Sequence, residues 1–70
     1  MRKRIKYSLH AEKRMIERGI SEEQIKQILE GPDFVKSEGS KRRAEKAIDE
    51  RKIRIVYIEE ENYIKIVTVF

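Results

Sequence analysis

The sequence predicts a single α+β domain over residues 1–70, in which two N-terminal helices pack on an antiparallel sheet of about four strands. Three observations carry this prediction. Ser21 and Gln24 have the spacing of a capping box, Gly19 and Gly31 fall where two short helices would end, and from residue 52 onward the apolar residues become β-branched, strand-like runs.

The first helix takes Ser8 as N-cap and Gly19 as the residue just past its end, leaving one or two residues of turn before Ser21. At about 100° per residue, Leu9, Ala11, Met15 and Ile16 share one broad arc assigned to the core, while His10, Arg14 and Arg18 occupy a neighbouring arc about 80° wide. The Arg2-Lys3-Arg4 and Lys6 run ahead of it reads as a solvated end, with a basic arm for nucleic acid as the second reading. The second helix, 21–30, opens at the capping box with Ile20 and Ile25 as a hydrophobic staple. It buries Ile25, Ile28 and Leu29, and stops at a left-handed Gly31 followed by Pro32.

A strand is expected at 33–37, a turn at 38–41, and a second strand at about 42–48. Ala44, Ala47 and Ile48 also fit a helical pattern, so a third helix is the alternative. The strand is preferred because a turn near Asp49 and Glu50 pairs it with 52–58. The final hairpin joins 52–58 to 63–70 across Glu59-Glu60-Glu61-Asn62. Its strands are apolar on both faces toward their middles, which places them centrally in the sheet, with one face under the helices and the other partly covered. Whether the last strand, which ends at Phe70, is an exposed edge is not legible in its residues.

Composition narrows the chemistry. A chain of 70 residues buries only about 60% of its unfolded surface, so a site should be a shallow cleft or sheet face suited to a macromolecule. Charged residues make up 43% of the chain, with no cysteine, no tryptophan, two Gln and one Asn, a composition like that of thermophile proteins. With no cysteine and one histidine, neither a metal nor a cofactor is expected. No apolar run follows the basic start, so neither a leader nor a membrane span is expected and a cytoplasmic location is. Charge is uneven: +5 over 1–18, −3 over 19–40, +4 over 41–54 and −2 over 55–70. Brought together, the two basic blocks would make a surface for a phosphate backbone; dispersed, they would neutralise in surface ion pairs.

The strongest chemical signal is the ridge of His10, Arg14 and Arg18, which sets an imidazole that titrates near neutrality beside two permanent guanidinium charges. A phosphate-handling site needs these groups, and a solvated basic helix face contains them too.

The string from Tyr7 to Ser21 carries Ser-x-His-Ala-x-x-Arg-Met-x-x-Arg-Gly-Ile. With Gly31-Pro32-Asp33, Arg54-Ile55-Val56-Tyr57 and Val67-Thr68-Val69-Phe70 behind it, the chain resembles a family of small bacterial and archaeal domains of unknown function. At the level of fold that family resembles the RelE-like toxins and the wider group of barnase, EndoU and tRNA-cleaving colicins. The resemblance implies metal-independent RNA cleavage and an antitoxin-like protein partner. By position it places the motif histidine on His10, the motif arginines on Arg14 and Arg18, and a basic strand position near Arg42 or Arg43. Tyr57 and Arg54 are the nearest analogues of the sheet groups such sites use.

Cleaving RNA without metal needs a base, an acid and cations for the charged transition state. His10 is assigned as general acid or base, Arg14 and Arg18 as the phosphate clamp, and Arg43 or Arg54 as further electrostatic support. Tyr57 is the candidate second proton carrier, if neighbouring cations lower its pKa. Against this stand structural roles: a hydrogen-bonded His10, Arg14 and Arg18 paired with Glu22, and tyrosines that pack the sheet. Two functions without catalysis fit the same residues, an RNA-binding module and a protein-interaction domain.

Overall fold

The computed structural model describes residues 3–70. Seven elements follow in order: β1 (Arg4–Tyr7), α1 (Leu9–Arg18), α2 (Glu22–Glu30), β2 (Phe34–Glu38), β3 (Lys41–Ile48), β4 (Arg51–Glu59) and β5 (Tyr63–Val69). The class is α+β as expected, but the sheet has five strands in the order β1-β5-β4-β3-β2, and β1 precedes the helices. β1 runs parallel to β5 whereas the other neighbours are antiparallel, so the sheet is mixed. β1 takes in Arg4 and Lys6 of the run that reads as a solvated basic end; Arg2 of that run lies outside the described residues. Four residues alternating cation and apolar group carry no strand signal alone. Pairing with β5 makes them a strand, and it turns β5 from a candidate edge into an interior strand.

Both helices begin as their caps dictate. The Ser8 hydroxyl accepts from the Ala11 N–H at 3.0 Å, and Ser21 and Gln24 form the reciprocal capping box at 3.2 and 3.0 Å. Gly19 closes α1 with φ 64°. Gly31 does not take the expected left-handed cap: its φ is −153° and ψ 67°. Pro32 accounts for this, because a residue before proline is pushed out of the helical region, and the helix stops there without a left-handed turn. Residues 41–48 form a strand rather than a helix. It joins β4 through Asp49 and Glu50, whose φ values of 53° and 64° are those of a two-residue hairpin turn matching the sheet twist.

Ser8 has a second role. Val56 pairs with Thr68 but Tyr57 pairs with Ile66, so Val67 is an extra residue bulged out of β5. The Ser8 hydroxyl donates to the Val67 carbonyl at 2.8 Å, and the Ser8 N–H donates to the Ile66 carbonyl at 3.0 Å. One hydroxyl thus caps α1 and satisfies the bulge.

The core lies between the helices and one face of the sheet. Ala11 and Met15 from α1, with Ile20, Ile25 and Ile28, meet Ala44, Ile53, Ile55, Tyr57, Ile66 and Val69. Leu9 and Ile16, assigned to the core from periodicity, are 85% and 82% exposed. α1 touches the sheet through the narrow arc of Ala11 and Met15, and Leu9 and Ile16 lie more than about 90° round the helix from it. Strand alternation sends the other side chains to the opposite sheet face, where both helices are absent.

Candidate functional site

α1 holds its three candidate residues as helix geometry requires. His10 and Arg18 are exposed, Arg14 is half-buried, and neither arginine is in an ion pair among the described residues. Glu22 is not their partner; it instead lines a cleft of about 330 Å³ on the other flank of α1, with Tyr7, Glu12, Met15, Ile16 and Ile20. In that cleft the Tyr7 hydroxyl is buried without a hydrogen-bond partner, and burial together with the nearby Glu22 carboxylate pushes its pKa up. Successive members of the ridge stand about 6 Å apart, as i, i+4 neighbours do. The Arg51 guanidinium donates to the Arg18 carbonyl and so pins the end of α1 to the β3–β4 turn.

The strand residues separate into two sets. Tyr57 points to the core and is 8% exposed, so it packs under the helices and does not border the α1 ridge as an open group. Arg42, its register partner, also faces the helix side, where it donates to Glu59 at 2.9 Å. Lys3 holds the other oxygen of Glu59 at 3.1 Å, and this hydrogen bond and charge, with the charge of Arg42, lower the pKa of that carboxyl. Arg43 and Arg54 point the opposite way, onto the uncovered face. There Arg54 and Lys52 share Glu45 at 3.6 and 3.9 Å, and Arg43 lies 3.5 Å from Glu38. The Nε of Arg43 is buried and has no acceptor. The structure therefore brings His10, Arg14 and Arg18 together, and it puts Arg43 and Arg54 on the other side of the sheet.

The uncovered face is more cationic than the chain as a whole. β1 contributes Arg4 and Lys6, β5 Lys65, and β2 Lys36; β3 adds Lys41 and Arg43, and β4 adds Lys52 and Arg54. Against these eight cations stand the carboxylates of Glu38 and Glu45, a net +6 on one face of a chain whose total is +4. Between them lie Val56, Ile58, Tyr63 and Phe70, each half-buried. Four of these cations, Lys36, Lys41, Lys52 and Lys65, were not singled out from sequence. The available signal was parity: in β4 every second residue from Lys52 is polar or shielded while Ile53, Ile55 and Tyr57 are buried.

A second cleft of about 460 Å³, between α2 and the β1 side of the sheet, has an apolar floor of Ile5, Leu29 and Ile64. Neither cleft is lined by His10, Arg14, Arg18, Arg43 or Arg54. Among the described residues no three His, Asp or Glu side chains are placed to hold a metal ion, and no helix is long and apolar enough to cross a membrane.

Residues 7–70 match the model of the family described as a domain of unknown function, DUF4258, and the chain belongs to that family. No match was found among curated proteins or among solved structures.

Proposed function

We propose that this protein acts on RNA at the α1 flank as a metal-independent ribonuclease of the RelE-like toxin type, with His10 as proton carrier and Arg14 and Arg18 as the clamp on the phosphodiester. The observation that carries the reading is that these three groups share one accessible helix flank with no carboxylate neutralising the two guanidinium groups. A phosphate seated there would meet two permanent charges beside an imidazole, whose ring nitrogens can donate or accept a proton. Arg42 is engaged by Glu59, and Arg43 and Arg54 face away, so electrostatic support on this flank rests on Arg14 and Arg18.

One observation favours a second reading, RNA binding without cleavage. Tyr57, the candidate second proton carrier, is buried in the core, which leaves a single proton carrier for a reaction that needs an acid and a base. Incubation with cellular RNA and ribosomes in excess chelator separates the two. Cleavage by the wild type, reduced about 100-fold or more in folded His10→Ala, supports the ribonuclease. Absence of cleavage, with retained binding that weakens in Arg14→Ala, supports the binding module. An antitoxin-like protein partner belongs to the first reading, and co-expression with an acidic neighbour-encoded protein would test it.

A further inference from the structure

Lys6 of β1 and Lys65 of β5 are direct register partners on the uncovered face. Like charges placed directly opposite each other destabilise a sheet, and here no carboxylate lies between them to offset that. Lys65 is in turn the partner of Ile58 on β4, and Lys41 of β3 follows one position beyond the Arg42–Tyr57 pair. The row Lys6–Lys65–Ile58–Lys41 crosses four strands, about 14 Å at the usual strand spacing. Lys6, Lys41 and Lys65 are in no ion pair among the described residues, and neither is Arg4, which pairs in register with Tyr63. The Lys6 ammonium lies 4.5 Å from the centroid of the Tyr63 ring. Beside this row the Nε–H of Arg43 has no acceptor.

We infer that this face binds single-stranded nucleic acid as a surface separate from the α1 flank, with phosphates along the Lys6–Lys65–Lys41 row and a base taking the place on the Tyr63 ring that the Lys6 ammonium occupies in the free protein. Charge complementarity selects a polyanion, since the face carries more positive charge than the chain has in total. The half-exposed aromatic group among the cations selects a single strand, because a duplex keeps its base faces stacked inside and leaves Tyr63 nothing to stack on. A lysine pair in register with no carboxylate partner is the arrangement a bound phosphate would neutralise.

The test is fluorescence anisotropy with labelled oligouridine and oligothymidine of about 12 nucleotides, within the roughly 4–16 nucleotides that sheet-based single-strand binders cover. A duplex of equal phosphate number and polyglutamate serve as competitors. Lys6→Ala combined with Lys65→Ala should weaken binding about tenfold or more, and should flatten the log affinity against log salt slope by about 1.4, near 0.7 per lost phosphate contact. Tyr63→Leu should weaken it about tenfold with the slope unchanged. Lys65→Glu gives Lys6 an opposite charge, so it should melt no lower than wild type and still lose binding. Equal affinity in the double lysine variant overturns the inference. So does equal competition by the duplex, which would mean phosphate contact alone, or by polyglutamate, which would mean an acidic protein partner. The Lys6 and Lys65 changes are also made in the Arg14→Ala background: a further loss of about tenfold there assigns binding to the sheet face and no further loss overturns it, while the α1 reading stands or falls separately on RNA cleavage in His10→Ala. Preference between the RNA and DNA strands tells whether the 2′-hydroxyl is recognised.

Discussion

The α1 flank and the uncovered sheet face both present cations without enough carboxylates to neutralise them, yet they are built by different means. On α1, His10, Arg14 and Arg18 come from one turn-by-turn repeat, and forming the helix is sufficient to align them. On the sheet, Lys6 and Lys65 come from nearly opposite ends of the chain and meet only because β1 pairs parallel with β5 across everything between them. The helical surface is a local property and the sheet surface a cooperative one. A residue row on a helix is therefore visible in sequence, whereas a row across strands is hidden until the register is known.

This contrast can be tested by variants that harm the two surfaces unequally. The largest effect should come from their shared scaffold. Ile66→Ala removes a fully buried side chain of β5, next to Tyr7 and Tyr57 in register, and should cost about 3 kcal/mol. Urea denaturation should then show both surfaces losing function in proportion to the unfolded fraction; loss of one surface ahead of the other would break the idea of a common core.

Ser8→Ala removes the N-cap of α1 and the donor to the bulged Val67 carbonyl at once, an expected loss of about 2 kcal/mol. Hydrogen exchange should rise in α1 and at the bulge while the β3–β4 hairpin stays protected, loosening the helical surface first. A uniform rise would instead mean that α1 has no separate stability.

Acid should produce a smaller change. The folded-state pKa of Glu59 is lowered, so its ion pairs contribute stability that is present above the ordinary carboxylate range and lost as pH falls through the lowered value. Because Glu59 is more than a third exposed, solvent screens the interaction and the loss should stay well under 1 kcal/mol. Denaturation of Glu59→Gln against pH should lack that component. Smallest of all, Ile16→Ser should change stability by less than about 0.5 kcal/mol, since the side chain is exposed. A larger loss would show that the outer side of α1 is covered in solution.

Much of the fold was legible because its signals are local. Ser8, Gly19 and the Ser21–Gln24 box act over three or four residues, and each marks the boundary found. The β3 strand was legible against its own helical propensity because Asp49 and Glu50 set a turn that pairs it with β4. Leu9 and Ile16 were misassigned because periodicity gives the apolar arc of a helix but not the width of the contact, which depends on how closely Ala11 lets α1 approach β5. β1 escaped notice because four alternating residues are too few to signal a strand without their partner. Of the candidate site, the α1 ridge was legible to the residue. The division of Arg42, facing Glu59, from Arg43 and Arg54, facing outward, turns on strand parity, which a one-residue change of register would have reversed.

By itself the sequence determined the α+β class, both helices and their N-caps, the hairpin partners, and the alignment of His10, Arg14 and Arg18, because each depends on residues close together in the chain. Only the tertiary structure decided that β1 completes the sheet, that Tyr57 is buried, and that cations from five strands gather on one uncovered face. Those outcomes depend on which distant strands pair and in what register, and that is settled by the burial of Ile53, Ile55, Ile66 and Val69 against the helices rather than by any short stretch of chain.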